Sequence, residues 1–114
     1  MGGCINLGVL YEEGIGVPQD VAKAAGLFQQ ACTGGEMDGC FNLGVVYADG
    51  TGVTQDATKA AALFQQTCTG GDMAGCYKLG ILYEDGIGAT KDATKAAALF
   101  TQACAGGVTQ ACNR

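Results

Sequence analysis

The stretch 32-CTGGEMDGC-40 decides the fold of this 114-residue chain. It returns as 68-CTGGDMAGC-76 and as 104-CAGGVTQAC-112. Each copy opens and closes on cysteine, with seven residues between. The paired glycines stop a helix, because glycine reaches left-handed backbone angles that close a helix end. One cysteine therefore ends a helix and the other begins the next, on either side of a chain reversal.

Working outward, Cys4, Cys40, Cys76 and Cys112 recur with a period of 36 (40 − 4). The units are 3–38, 39–74 and 75–110, and residues 111–114 open a further, truncated unit. The first two units are identical at about two thirds of positions, the signature of a stacked repeat protein.

Each unit begins 3-GCINLGVLYEEG-14, 39-GCFNLGVVYADG-50 or 75-GCYKLGILYEDG-86. Cys4, Leu7, Gly8 and Tyr11 fall at i, i+3, i+4 and i+7, one face of a helix. Glycine inside a helix costs about 1 kcal/mol relative to alanine. Its recurrence as Gly8, Gly44 and Gly80 implies close approach of a neighbouring helix. Gly14, Gly50 and Gly86 fit helix C-termini that need a left-handed residue. Asp20, Asp56 and Asp92 fit N-caps of a second helix, 21-VAKAAGLFQQAC-32 and its copies. Ala24, Leu27, Phe28 and Cys32 give that helix an apolar face. Two antiparallel helices per unit, stacked in tandem, make an all-α solenoid of helix-turn-helix repeats.

Seven cysteines with no histidine and no C-x-x-C pair favour disulfides over metal. Two pairing sets suit helical hairpins. One is local: Cys32–Cys40, Cys68–Cys76 and Cys104–Cys112. The rival is Cys4–Cys32, Cys40–Cys68 and Cys76–Cys104. Short loops close at least entropic cost, which favours the local set. A bridge closing about nine residues contributes roughly 2–3 kcal/mol. Cys4 is then a free thiol. Both ends read as cut from a longer array, which exposes apolar end faces. End-to-end self-association follows, with Cys4 available for an intermolecular disulfide.

Disulfides imply an oxidising compartment, secreted or periplasmic. The first residues lack the basic start and cleavage site of a signal peptide. No apolar run is long enough for a membrane span. Net charge is −5, and the six basic residues are scattered rather than clustered. That excludes the basic patch needed for nucleic acid or a membrane surface. No metal ligand set and no cofactor motif is visible.

Positions that vary between units are candidates for recognition. Ile5, Phe41 and Tyr77 share one register position, and Asn6, Asn42 and Lys78 share the next. First helices of solenoids commonly line the concave face. Asparagine can bridge the N–H and C=O groups of a bound peptide. Asn6, Asn42, Lys78, Phe41 and Tyr77 are therefore the expected ligand contacts. Glu12-Glu13 and Glu84-Asp85 are adjacent acids that point apart on a helix, which suits a solvated surface rather than catalysis. Tyr11, Tyr47 and Tyr83 fit an inter-repeat core better than a groove. Phe28, Phe64 and Phe100 fit the core.

The phrases "LGVLYEEGIGV", "KAAGLF" and "ACTGGEMDGC" resemble Sel-one-like repeats (SLR), relatives of the tetratricopeptide repeat, over essentially the whole chain. The C-x7-C pair resembles the cysteine-rich, Hcp-type (Helicobacter cysteine-rich protein) subfamily. That resemblance implies a right-handed superhelix with one bridge per helix pair, and residence outside the cytoplasm. Cysteine-rich relatives also occur in the mitochondrial intermembrane space. The subfamily is described as β-lactam-binding or β-lactamase-like. The residues do not match that chemistry, because the chain has neither a serine nucleophile nor histidine ligands for zinc. Three functions compete. The first is a non-catalytic scaffold for a protein or peptide. The second is a β-lactam-binding protein or β-lactamase. The third, motivated by near-consensus units and sparse proline, is a designed or excised structural array.

Overall fold

Asp20, Asp56 and Asp92 start the second helix of every unit. Their Oδ1 atoms accept the backbone N–H groups of Lys23, Lys59 and Lys95, each at 3.0 Å. The first turn of a helix leaves such donors without an intrahelical partner. Capping them stabilises by about 1 kcal/mol each. Alanine, leucine and glutamine follow, all good helix formers. A computed structural model of the protein describes residues 2–50 and 52–113. Met1, Thr51 and Arg114 lie outside it, so the expected truncated unit at 111–114 is described only as far as Asn113.

The elements in order are α1 (Gly2–Glu13), α2 (Val21–Thr33), α3 (Met37–Asp49), α4 (Ala57–Thr69), α5 (Met73–Asp85), α6 (Ala93–Ala105) and α7 (Thr109–Cys112). No strand occurs among the described residues. Each helix packs mainly on its neighbours in sequence, giving a stack of helical hairpins measuring 42 × 25 × 23 Å. This is the expected all-α solenoid. Gly14, Gly50 and Gly86 end the first helices with φ of +73°, +66° and +70°. The backbone N–H groups of Asp20, Asp56 and Asp92 then donate to Tyr11, Tyr47 and Tyr83 carbonyls at 2.8, 3.1 and 3.0 Å, tying each cap to the preceding helix.

The recurring mid-helix glycine has a visible cause. A Cβ at Gly44 would stand 2.8 Å from Phe64 Cε1, and the same collision recurs at Gly8 with Phe28 and Gly80 with Phe100. The ring of the second helix lies directly on the backbone of the first. Phe28, Phe64 and Phe100 are accordingly buried. The core is not one mass but a series of clusters that straddle unit boundaries. Ala24, Ala25 and Phe28 of the first unit meet Leu43 and Val46 of the second. Ala60, Ala61 and Phe64 of the second meet Leu79 and Leu82 of the third. The buried stripe of α2 is Ala24, Ala25, Phe28, Ala31 and Cys32; Leu27, expected on it, is only half-buried.

The three disulfides are the local set: Cys32–Cys40, Cys68–Cys76 and Cys104–Cys112, with Cα–Cα separations of 4.5, 4.6 and 4.9 Å. The rival set does not form. Each bridge pins the end of a second helix to the start of the next first helix. Cys4 is free and half-buried, and its Sγ donates to Gln30 Oε1 at 3.8 Å.

Candidate functional site

The period of 36 puts equivalent residues of α1, α3 and α5 into rows. Asn6 and Lys78 are exposed and Asn42 is half-buried. Ile5, Phe41 and Tyr77 beside them are half-buried. Part of each aromatic ring belongs to the core: Phe41 lies 5.6 Å from the Phe64 ring and Tyr77 5.9 Å from the Phe100 ring. The row therefore offers polar atoms above an apolar base, one pair per unit. None of these six residues lines the cavities between α2 and α4 or the one beside α6.

Glu12, Glu13, Asp49, Glu84 and Asp85 sit at the C-terminal ends of the first helices. Burial pushes the Glu12 carboxyl above its ordinary value of 4.5, and the charges of Glu13 and Asp49 add to the shift. A raised carboxyl pKa means that the folded state favours the protonated form. Its contribution is present at low pH and lost as pH rises through the folded value. Glu12→Gln is therefore expected to raise the melting temperature slightly at pH 7. The gain should close as pH falls below the ordinary value of 4.5. Parallel thermal melts at the two pH values check it; an equal gain at both would point to a cause other than ionisation.

A second constellation runs through the tyrosines. Lys23, Lys59 and Lys95 place Nζ over the rings of Tyr11, Tyr47 and Tyr83, at 4.8, 5.2 and 5.4 Å from the centroids. An ammonium over an aromatic face is worth about 0.5–1 kcal/mol when exposed. The tyrosines are half-buried, packing one side against the inter-repeat clusters and meeting lysine on the other. They are thus core residues with a polar handle. The middle pair borders two adjoining cavities, of about 610 and 210 Å³, which share Gln29, Tyr47 and Lys59. Ala22, Ala25, Gly26 and Val53 line the larger one, and Leu43, Ala62 and Leu63 the smaller. A Cβ at Gly26 would meet nothing within 4 Å, so this glycine widens the groove between α2 and α4.

Sequence reasoning did not single out this groove. The signal was available: a lysine twelve residues after each tyrosine, unvaried in all three units. It was masked because a repeated tyrosine reads first as core. Chemically the groove offers apolar walls, an amide and an ammonium. Its carboxylate, Asp56, caps α4. Thr54 adds a hydroxyl to this lining.

A period of 36, two helices per unit and one bridge at every unit junction now stand together. The sequence profile of the Sel1 repeat matches residues 3–36, 38–72 and 74–108. This chain belongs to the Sel1 repeat family. Solved Sel1-type structures superpose on nearly all of it. A Sel1 repeat protein from Oxalobacter formigenes shares 26% identity with a TM-score of 0.90, covering 96% of this chain and 45% of its own. A protective antigen of uropathogenic Escherichia coli strains, described as displaying an SLR fold, shares 33% with a TM-score of 0.90, covering 96% and 23%. Cysteine-rich protein B of Helicobacter pylori shares 31% with a TM-score of 0.80, covering 99% and 80%. The match to the last, with a C-x7-C bridge at each junction, makes these Sel1 repeats the cysteine-rich Hcp type. The chain spans under half the length of the first two structures. No curated protein matches it.

Proposed function

We propose that this Sel1 repeat chain is a non-catalytic scaffold that binds a protein or peptide along the face built by α1, α3 and α5. The carrying observation is the row Asn6, Asn42 and Lys78, one polar side chain per unit, flanked by Ile5, Phe41 and Tyr77. Amides and an ammonium spaced by one repeat suit the backbone groups of an extended segment. The varied residues give each subsite its own preference. The chain has no serine and no histidine, so the β-lactamase reading finds neither a serine nucleophile nor histidine ligands for zinc among its residues. Three disulfides suit work outside the cytoplasm, in a secreted or periplasmic setting.

The test is a peptide-array screen followed by titration of the best binder against variants. Asn6→Ala/Asn42→Ala/Lys78→Ala is expected to weaken binding by about a hundredfold, as the loss of two or three polar contacts of about 1 kcal/mol each implies. Lys59→Ala should leave it unchanged. The reverse result would move the site to the groove between α2 and α4.

We also propose that copies associate end to end. In the first unit Leu7 is 41% exposed and Leu10 36%, whereas the equivalents of Leu7, Leu43 and Leu79, are 1% and 2% exposed and those of Leu10, Val46 and Leu82, are 3% and 8% exposed. Sedimentation of the wild type against Leu7→Glu reads this directly.

A further inference from the structure

The far end of the stack carries the matching half of that interface. A groove of about 560 Å³ opens beside α6, lined by Ala96, Ala97, Phe100 and Cys104 and closed at one end by Ala111 and Cys112 of α7. Ala96 and Phe100 correspond to Ala60 and Phe64, which receive Leu79 and Leu82 within the chain. They correspond equally to Ala24 and Phe28, which receive Leu43 and Val46. The chain thus shows twice what fits such a groove: a helix of the α1, α3, α5 type. Leu7 and Leu10 of α1 are the equivalents of the leucines and valine that fill it.

One obstacle stands in the groove. α7 is a single turn, and Cys112 occupies the place that Cys40 and Cys76 hold in the inner junctions. By the same register, 112 − 36 × 3, the equivalent residue at the head of the chain is Cys4, and Cys4 is the free thiol. The bridge that holds α7 is also the open one. Cys104 is half-buried and Cys112 exposed, whereas the four cysteines of the inner bridges are buried.

A neighbouring residue favours replacement. Gly39 and Gly75 precede the bridged cysteine in the inner junctions. A Cβ at Gly39 would stand 2.6 Å from Ala31 Cβ and 2.9 Å from Cys32 N. α7 brings Ala111 to that place; α1 brings Gly3.

We propose that a second copy of this chain docks its α1 in the groove beside α6 and displaces α7 by thiol–disulfide exchange. The Cys4 thiolate of the second copy attacks Cys104 Sγ. The Cys4–Cys104 bond forms as the Cys104–Cys112 bond breaks. Cys112 leaves as thiolate and takes up the proton that Cys4 gave to solvent. One thiol and one disulfide enter and one of each leave, so no net oxidant or reductant is consumed. The product continues the solenoid from copy to copy, with Leu7 and Leu10 covered as Leu43 and Val46 are. The proposal rests on the end-to-end reading and adds the bond that fixes it.

The experiment uses the full chain, purified without reductant and incubated with a trace of reduced glutathione. It is then alkylated and analysed by non-reducing electrophoresis and peptide mapping. The expected result is a ladder of covalent multimers, a Cys4–Cys104 cross-link and an alkyl label on Cys112. Leu7→Glu should slow ladder formation by about tenfold or more, the equivalent of about 1.4 kcal/mol of lost docking. Cys4→Ser should abolish it. A monomer labelled at Cys4 with Cys112 unlabelled overturns the exchange, as does a Cys4–Cys4 cross-link alone. The variant Cys104→Ser/Cys112→Ser separates the two readings, since it has no bridge to exchange and its α7 is unpinned. If it associates while the wild type gives no Cys4–Cys104 link, docking stands and exchange falls. If neither occurs, both fall.

Discussion

Full reduction of the three bridges is expected to leave the chain mostly unfolded at 37 °C. Each bridge closes a loop of about nine residues, and the chain-entropy account gives roughly 2–3 kcal/mol apiece. Three together approach about 7 kcal/mol, against a net stability of about 5–15 kcal/mol for an ordinary domain. This domain starts with less than most, because alanine fills much of its core and each alanine buries little apolar area. Position adds to number: every bridge spans a junction between units, where a second helix turns into the next first helix. Loss of the bridges loosens the coupling between hairpins rather than the hairpins themselves, and a solenoid depends on that coupling. Helical circular dichroism followed through a thermal melt, with and without reductant and alkylation, is the measurement. A midpoint unmoved by complete reduction would mean that burial alone holds the stack. The middle pair isolates one bridge: Cys68→Ala/Cys76→Ala should cost about 2–3 kcal/mol in urea titration.

The sequence carried most of this architecture, and for identifiable reasons. Asp20 and Gly14 announce a helix start and a helix end through local chemistry that needs no tertiary context. Threefold repetition then turned weak local signals into a strong one. The reason for Gly44 was legible as a class, a close approach, but its partner Phe64 was not, since the pair is twenty residues apart. Pairing of the cysteines was legible only as a preference between two sets, because both ends of a helical hairpin lie near one another. The groove at Tyr47 escaped because its shape comes from Gly26 in one unit and Val53 in the next, and no single stretch of sequence contains both. Leu7 illustrates the remaining limit. Its periodic position matches that of Leu43, yet one is exposed and the other buried. Burial in a solenoid is set by whether a neighbour is present, a property that the residue's own segment does not encode.

The same dependence on neighbours makes Phe64→Ala, with its equivalent Phe28→Ala, among the costliest single substitutions expected here. Phe64 is 2% exposed, lies against the backbone at Gly44 and faces Phe41 at 5.6 Å. It also belongs to the cluster that joins the second unit to Leu79 and Leu82 of the third. Truncation of a buried phenylalanine costs about 3–5 kcal/mol, the lost transfer energy plus the cavity left behind. Collapse cannot relieve that cavity easily, because its wall at Gly44 is backbone. Phe100→Ala should cost less. Phe100 is 6% exposed and already borders the open groove beside α6, so part of its apolar surface is not removed from water. Denaturant titration of the two variants tests the ordering; equal losses would mean that the end groove is closed in solution, as docking of a second copy would make it. Gly44→Ala approaches the same contact from the other side. It gains about 1 kcal/mol of helix propensity and loses about 1–3 kcal/mol to overpacking against the ring. Its net effect should therefore be a modest loss, and that loss should vanish when Phe64 is alanine, since the atom that the new methyl strikes is then gone. Persistence of the Gly44→Ala penalty in the Phe64→Ala background would show that something other than the ring requires glycine at the centre of the helix.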